Sequence, residues 1–147
     1  MKVNIALLTV TDTRTFDNDK SGAILVDKIK ESNHNLLDRK LCKDNKDEIV
    51  LILKEWLKNE KIDAIITTGG TGLTGRDITP EALDEIADKH IPGFGEVFRN
   101  ISIKSVGTSA IQSRACAVLA NGKYVFALPG SSGGVTDAWD QILKHQL

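Results

Sequence analysis

The residues best suited to chemistry lie in one stretch near the middle of the chain, residues 65–81. It opens with Ile65-Ile66-Thr67-Thr68, a β-branched run typical of a buried strand. Four glycines follow within seven positions: Gly69, Gly70, Gly72 and Gly75. Successive backbone N–H groups in such a loop form an anion-binding nest. Asp77 comes next, and Thr79-Pro80-Glu81 predicts a helix with Thr79 as its N-cap and Pro80 in its first turn. The stretch therefore predicts phosphate binding, with the Asp77 carboxylate beside the phosphate.

Two better-known glycine motifs resemble this loop in their glycine spacing but differ from it in other required features. Gly70 to Gly75 fits G-x-G-x-x-G, but in the dinucleotide fingerprint the helix opens within the glycines, whereas here it waits until Thr79. The phosphate-binding P-loop needs Lys and then Ser or Thr, and this chain has Arg76 and Asp77 there. A dinucleotide-dependent oxidoreductase is therefore disfavoured. The remaining alternative is a glycine-rich connection without a ligand.

Length and charge narrow the class of protein. The chain has 147 residues, enough for one domain spanning 1–147, and its 41% hydrophobic content suffices for a core. The formal net charge is -1 and no run of Lys or Arg occurs, so we expect no nucleic-acid partner. Any bound anion must then be held by backbone dipoles and a metal ion.

Targeting and redox features are few. The apolar segment Ile5–Val10 is ended by Asp12 and Arg14, too soon for a secretory or membrane-spanning segment, so we expect a cytoplasmic protein without a membrane partner. Cys42 and Cys116 form no C-x-x-C motif and are expected to be free thiols. The three histidines show no metal-ligand spacing.

The order of elements predicts an α/β fold. Apolar strand-like and amphipathic helix-like segments alternate, which favours a three-layer α/β/α sandwich with a mostly parallel sheet. Asn121-Gly122 predicts an antiparallel hairpin added near the C-terminus. The expected strands are 3–9, 36–41, 62–67, 115–119 and 123–128. Helices are expected to start at Ser21 and at the Asp44-Asn45 cap, and a third helix is expected from Thr79 to Lys89. A fourth, short helix is expected to end near Lys104, and the last helix is expected to span residues 135–144.

This topology determines which loops meet. Ligands of parallel α/β sheets bind beyond the carboxyl ends of the strands. The loop 11–20, the turn at Asp44 and the glycine loop should therefore share one edge, so that Asp44 and Asp77 meet. A second glycine-rich turn, 129–134, follows another strand. Two such turns and two aspartates suggest a ligand with more than one phosphate and Mg²⁺. Asp44 as a mere helix cap remains an alternative.

The chain resembles a known family through several of its segments. These are Thr67–Gly72, Arg76–Ala82, Pro92–Glu96, Gln112–Arg114 and Leu128–Ser131. They occur in order over nearly the whole chain, and they resemble the MoaB/Mog family of molybdenum cofactor biosynthesis. Residues 93–99 look closer to its MoaB branch. The family fold, a three-layer α/β domain, agrees with the fold expected above.

The resemblance implies an activity and a set of site residues. The activity is Mg-ATP-dependent adenylylation of molybdopterin, giving adenylyl-molybdopterin and pyrophosphate; the alternative is a non-catalytic molybdopterin-binding or carrier protein. By resemblance, Gly70, Thr71 and Gly72 hold nucleotide phosphates, and Asp44 and Asp77 are catalytic and hold Mg²⁺. The molybdopterin-binding residues would be Ser21, Ser113, Pro129, Gly130 and Ser131. Ser113 could instead be a plain strand-start residue and Arg114 a surface charge. The family also implies a homotrimer or a homohexamer of two trimers.

Overall fold

Apolar strands build a six-stranded sheet, and the computed structural model describes all residues, 1–147. The strands are β1 (Asn4–Val10), β2 (Asn35–Cys42), β3 (Ala64–Thr68), β4 (Lys89–His90), β5 (Cys116–Ala120) and β6 (Lys123–Leu128). The helices are α1 (Lys20–Glu31), α2 (Lys46–Leu57), α3 (Thr79–Ile86), α4 (Pro92–Val106), α5 (Ser132–Ala138) and α6 (Lys144–Gln146). A 3₁₀ helix, Gly107–Gln112, follows α4, and a π-helical turn, Trp139–Leu143, joins α5 to α6. No helix has the length and apolar character needed to cross a bilayer.

The strand order is β2-β1-β3-β6-β5-β4. The first four strands are parallel, and β6 pairs antiparallel with β5, which pairs antiparallel with β4. The mostly parallel sheet with an antiparallel hairpin is thus confirmed. Asn121 and Gly122 form its turn with φ of 48° and 73°, the left-handed conformation that a tight hairpin turn requires.

Alternating side chains place helices on both faces of the sheet. In β1, Ile5 and Leu7 face one core, and Ala6 and Leu8 face the other. The first core packs against α1, α4 and α5, and the second packs against α2 and α3. The predicted three-layer sandwich is therefore confirmed. The glycine loop follows β3, which is one of the inner strands of the sheet.

Three predicted helix boundaries are wrong, the first because another residue caps the helix and the other two because of contacts with neighbouring segments. Asp19, not Ser21, caps α1: its carboxylate accepts from the Gly22 N–H at 3.1 Å. Thr79 is no cap, because its hydroxyl donates to the Gly69 carbonyl at 2.9 Å. Helix α3 ends at Ile86 rather than Lys89, because Lys89–His90 pairs with β5 as a short edge strand.

Helix α4 and the final helical segment, which starts with α5, are both longer than the sequence predicted. Helix α4 extends over 15 residues to Val106. The final helical segment begins at Ser132 rather than Val135, and Ser131 caps it by accepting from the Gly134 N–H at 3.1 Å.

Both cysteines are free thiols, as predicted. Burial, followed by the charges of Glu48 and Asp44, raises the pKa of Cys42 to about 12. Burial also raises the pKa of Cys116 to about 11, with the charge of Asp84 adding to it. Both sulfurs therefore remain protonated at neutral pH, and neither is an activated nucleophile.

Candidate active site

A polar cleft opens where the parallel strands end. Its volume is about 510 Å³, and only one of its sixteen lining residues is hydrophobic. The lining comes from the ends of β1 and β3, the turn after β2, the glycine loop and the turn after β6. A cleft lined by more hydrophobic residues would suit an uncharged ligand, whereas this polar lining suits an anionic or strongly hydrated ligand.

The start of the glycine loop is compressed between neighbouring strands. Gly69 has φ of 101° and Gly70 has φ of 72°, both in the left-handed region that glycine tolerates. A Cβ at Gly69 would lie 2.3 Å from the Val10 carbonyl oxygen, and one at Gly70 would lie 2.3 Å from Oγ1 of Thr79. Side chains are excluded at both positions, so the backbone itself forms this wall of the cleft.

Gly72 is required for a different reason, because its φ lies outside the left-handed region. A Cβ there would lie 2.7 Å from Oδ2 of Asp77, whereas a Cβ at Gly75 would meet nothing within 4 Å. Gly72 therefore makes room for the Asp77 carboxylate to fold back against the loop.

Asp77 is fixed inside the loop by hydrogen bonds. Its Oδ2 accepts from the backbone N–H of Thr74 at 2.9 Å and from the Thr74 hydroxyl at 2.8 Å. Partial burial acts to raise the pKa of Asp77, but the bonds from Thr74, the N–H of Gly72 and the charge of Arg114 outweigh it and lower the pKa. The carboxylate is thus held in its ionised form.

Asp44 enters the same cleft from the turn after β2. The interpretation of Asp44 as a helix cap is wrong: Asn45 caps α2, accepting from the Glu48 N–H at 3.0 Å. The Asp44 backbone N–H instead donates to Oδ1 of Asp12 at 3.0 Å. Burial, then the negative charges of Asp12 and Asp77, raise the pKa of Asp44, while Arg76 opposes them. Its ionised form is therefore disfavoured by its surroundings.

The charges around the cleft do not favour an anion by themselves. Three aspartates, Asp12, Asp44 and Asp77, face two arginines, Arg14 and Arg76. Arg76 is 77% exposed and lies 3.6 Å from Asp12, between its Nη1 and Oδ2. A polyphosphate entering this net negative site needs a cation to offset the repulsion.

The donor set suits Mg²⁺ only in part. No group of three His, Cys, Asp or Glu side chains is arranged to hold a metal ion by itself. Mg²⁺, however, commonly uses one or two carboxylates together with waters and substrate phosphates. Asp44, whose charge is destabilised by burial and then by neighbouring carboxylates, and Asp77, held ionised, fit that requirement.

Six of the predicted site residues line the cleft: Ser21, Asp44, Gly70, Asp77, Gly130 and Ser131. Four do not: Thr71, Gly72, Ser113 and Pro129. Thr71 is buried and its carbonyl accepts from the Arg114 N–H at 2.9 Å. The Ser113 carbonyl accepts from Arg99 at 3.1 Å, and the Pro129 carbonyl accepts from the Thr68 hydroxyl at 2.8 Å.

The structure adds Asp12, Arg14 and Arg76 to the lining. The first two lie in the loop after β1, which the topology already placed on this edge. Their sequence signal is weak: a polar loop after a strand does not by itself tell which of its side chains point inward.

Comparisons with known proteins agree with this geometry. Residues 6–147 match the family described as "probable molybdopterin binding domain". The chain belongs to the MoaB/Mog family of molybdenum cofactor biosynthesis proteins. The resemblance inferred from its motifs is thereby confirmed, and the chain is assigned to molybdenum cofactor biosynthesis.

Three relatives of the MoaB/Mog family illustrate the similarity. Molybdenum cofactor biosynthesis protein B of Staphylococcus aureus (strain MRSA252) is 44% identical over 148 residues, covering 99% of this chain and 88% of that protein. The protein of the same name from Escherichia coli (strain K12) is 41% identical over 143 residues, covering 97% and 84%. A crystal structure of molybdenum cofactor biosynthesis protein B has a TM-score of 0.96 at 39% identity, covering 99% and 91%.

Proposed function

We propose that this MoaB/Mog family member is a molybdopterin adenylyltransferase that uses Mg-ATP. The observation that carries the proposal is the meeting of Asp44 and Asp77, from different strand ends, beside a glycine loop in one polar cleft. The cleft accepts a polyphosphate, and its net negative lining requires a cation with it. These features match what the family resemblance implies for the activity.

In the proposed reaction, an oxygen of the terminal phosphate of molybdopterin attacks the α-phosphorus of ATP. A new P–O bond forms, the bond between the α-phosphorus and the α,β-bridging oxygen breaks, and pyrophosphate leaves. The substrate supplies the nucleophile, so the chain has only to bind, orient and stabilise charge. Gly69 and Gly70 bring the backbone close to the phosphates, and Asp44 and Asp77 would hold Mg²⁺, which would neutralise the triphosphate.

A non-catalytic molybdopterin carrier is the second candidate. One observation favours it: Asp77 already makes two hydrogen bonds within its own loop, as a purely structural residue would. The two candidates differ in turnover. We expect pyrophosphate release when molybdopterin and Mg-ATP are added together, and none when either is omitted. Binding of molybdopterin without pyrophosphate release would reject the enzyme and support the carrier.

The glycine loop supplies a test of nucleotide binding. Gly72→Val places a side chain where the Asp77 carboxylate now lies, 2.7 Å from the Cβ position, so we expect at least about a tenfold loss of Mg-ATP affinity in calorimetry. Gly75→Val is the matched control, because that Cβ position is open. Equal affinity in both folded variants would show that this loop does not form the phosphate site.

The chain is also proposed to be a homo-oligomer built from trimers, most simply a hexamer. Large apolar side chains are exposed in and just after α4, including Val97, Ile103, Val106 and Ile111. Such a surface is typical of a protein–protein interface. Light scattering at micromolar concentration should give the mass of three or six chains; the mass of one chain would contradict the proposal.

A further inference from the structure

Arg114 connects the glycine loop to the rigid part of the molecule. Its Nε donates to the Gly72 carbonyl and its Nη2 donates to the Asp77 carbonyl, both at 2.7 Å. Its Nη1 pairs with the carboxylate of Glu81 in α3. Its backbone N–H donates to the Thr71 carbonyl at 2.9 Å. The interpretation of Arg114 as a surface charge is therefore wrong, since the side chain is committed to the loop.

These contacts hold the loop at both ends of its exposed part. Gly72 and Asp77 bracket residues 73–76, which are all exposed. Arg114 itself lies immediately before buried Ala115 and two residues before the start of β5, and is thus anchored to the sheet. The Arg114 guanidinium therefore holds the backbone at both ends of this segment, while Thr74 holds the Asp77 carboxylate within it.

We propose that Arg114 is a positioning residue, which holds the glycine loop so that the Asp77 carboxylate faces the bound phosphates. The inference rests on the proposed function. Arg114 does not line the cleft, so it acts through Asp77 and not by touching substrate. A displacement of about 1 Å in a catalytic group can cost on the order of a hundredfold in rate.

The fork geometry of the guanidinium is the property under test. Lysine keeps the positive charge but cannot present a planar set of donors to Gly72, Asp77 and Glu81 together. The matched control is Arg99, on the other side of the same segment, whose Nη1 donates to the carbonyls of Ser113 at 3.1 Å and Ala115 at 2.9 Å but which does not contact the loop.

The experiment compares Arg114→Lys with Arg99→Lys in the full chain. For Arg114→Lys we expect kcat for pyrophosphate release to fall about ten- to a hundredfold, with KM for ATP changed less than kcat. Arg99→Lys should keep kcat within about twofold of the wild type, even if its melting temperature falls as far as that of Arg114→Lys. A wild-type kcat in Arg114→Lys, or an equal loss of kcat in both variants, would overturn the inference.

Chemical rescue separates positioning from general stabilisation. Arg114→Ala leaves a space with three acceptors, and free guanidinium should restore at least part of kcat at concentrations that leave the melting temperature unchanged. The same addition should do nothing for Arg99→Ala. Absence of any rescue in a folded Arg114→Ala protein would count against the inference.

Hydrogen exchange tests Arg114 without relying on turnover. The amides of residues 70–79 should exchange faster in Arg114→Lys than in the wild type or in Arg99→Lys, because two loop carbonyls lose their fixed donors. Should the wild type show no pyrophosphate release, the proposed function fails, and this measurement still decides whether Arg114 positions the loop. Unchanged exchange over residues 70–79 would overturn the inference.

Discussion

Asp77→Asn is expected to lower the rate of pyrophosphate release by about a hundred- to a thousandfold, the usual loss for one preorganised electrostatic group. Asparagine has nearly the same size, and its amide oxygen can still accept from the N–H and hydroxyl of Thr74. The loop should therefore keep its shape while losing the negative charge that the proposed Mg²⁺ site would use. The measurement is pyrophosphate release from Mg-ATP and molybdopterin, alongside thermal melting.

Thr74→Val is the control for a purely structural role of Asp77. It removes the hydroxyl that donates to Oδ2 at 2.8 Å, but leaves the Asp77 charge and the backbone hydrogen bond in place. Both variants are expected to lower the melting temperature, so the rate decides: if Asp77 only stabilises its loop, both variants should keep a nearly normal rate at low temperature. Retention of more than about a tenth of the wild-type rate in Asp77→Asn would remove Asp77 from catalysis, because a tenfold loss is only about 1.4 kcal/mol of barrier.

The sheet and the location of the cleft could be predicted because they depend on patterns within single segments. Alternating apolar strands and amphipathic helices indicate parallel pairing, and parallel pairing brings strand ends to one edge. Asp44 and Asp77 could thus be expected in one cleft, although they are 33 positions apart in the chain. Asn121-Gly122 indicated its turn through the backbone conformation that these two residues tolerate.

The contacts that orient the site could not be predicted, because no local pattern encodes them. Arg114 reaches Gly72 and Asp77 across 42 and 37 positions of sequence. Thr79 has the residue type of a helix cap, but its hydroxyl is used to hold Gly69. The role of Gly72 in making room for the Asp77 carboxylate also has no local sequence signal, and its predicted phosphate contact stays a prediction. Each outcome depends on side chains brought together only by the folded chain.

The two aspartates are expected to have opposite effects on stability. The folded protein raises the pKa of Asp44 above its ordinary value of 3.8, so the ionised group costs stability at neutral pH. Asp44→Asn should therefore raise the melting temperature at pH 7. The pKa of Asp77 is lowered, so its ionised form is stabilising, and Asp77→Asn should lower the melting temperature at pH 7.

The pH dependence follows from the same directions. As the pH falls, Asp44 takes up its proton first, above pH 3.8, and the gain from Asp44→Asn should shrink towards zero. The stability contributed by Asp77 is present above pH 3.8 and is lost as the pH falls through its lowered folded pKa, so the deficit of Asp77→Asn should shrink as well. Melting curves of both variants and the wild type between pH 3 and 7 measure this.

Asp44→Asn should nevertheless slow pyrophosphate release by about a hundredfold, in the same direction as Asp77→Asn. If both carboxylates serve one ion, the double variant should lose less than the product of the two single losses. If Asp44 and Asp77 hold Mg²⁺ in the folded chain as proposed, the ion should raise the melting temperature of the wild type and raise that of Asp44→Asn less. A variant that is more stable but much slower indicates that the charge at Asp44 is kept for function. A variant with a lower melting temperature and the wild-type rate would show that Asp44 supports the fold and not the reaction.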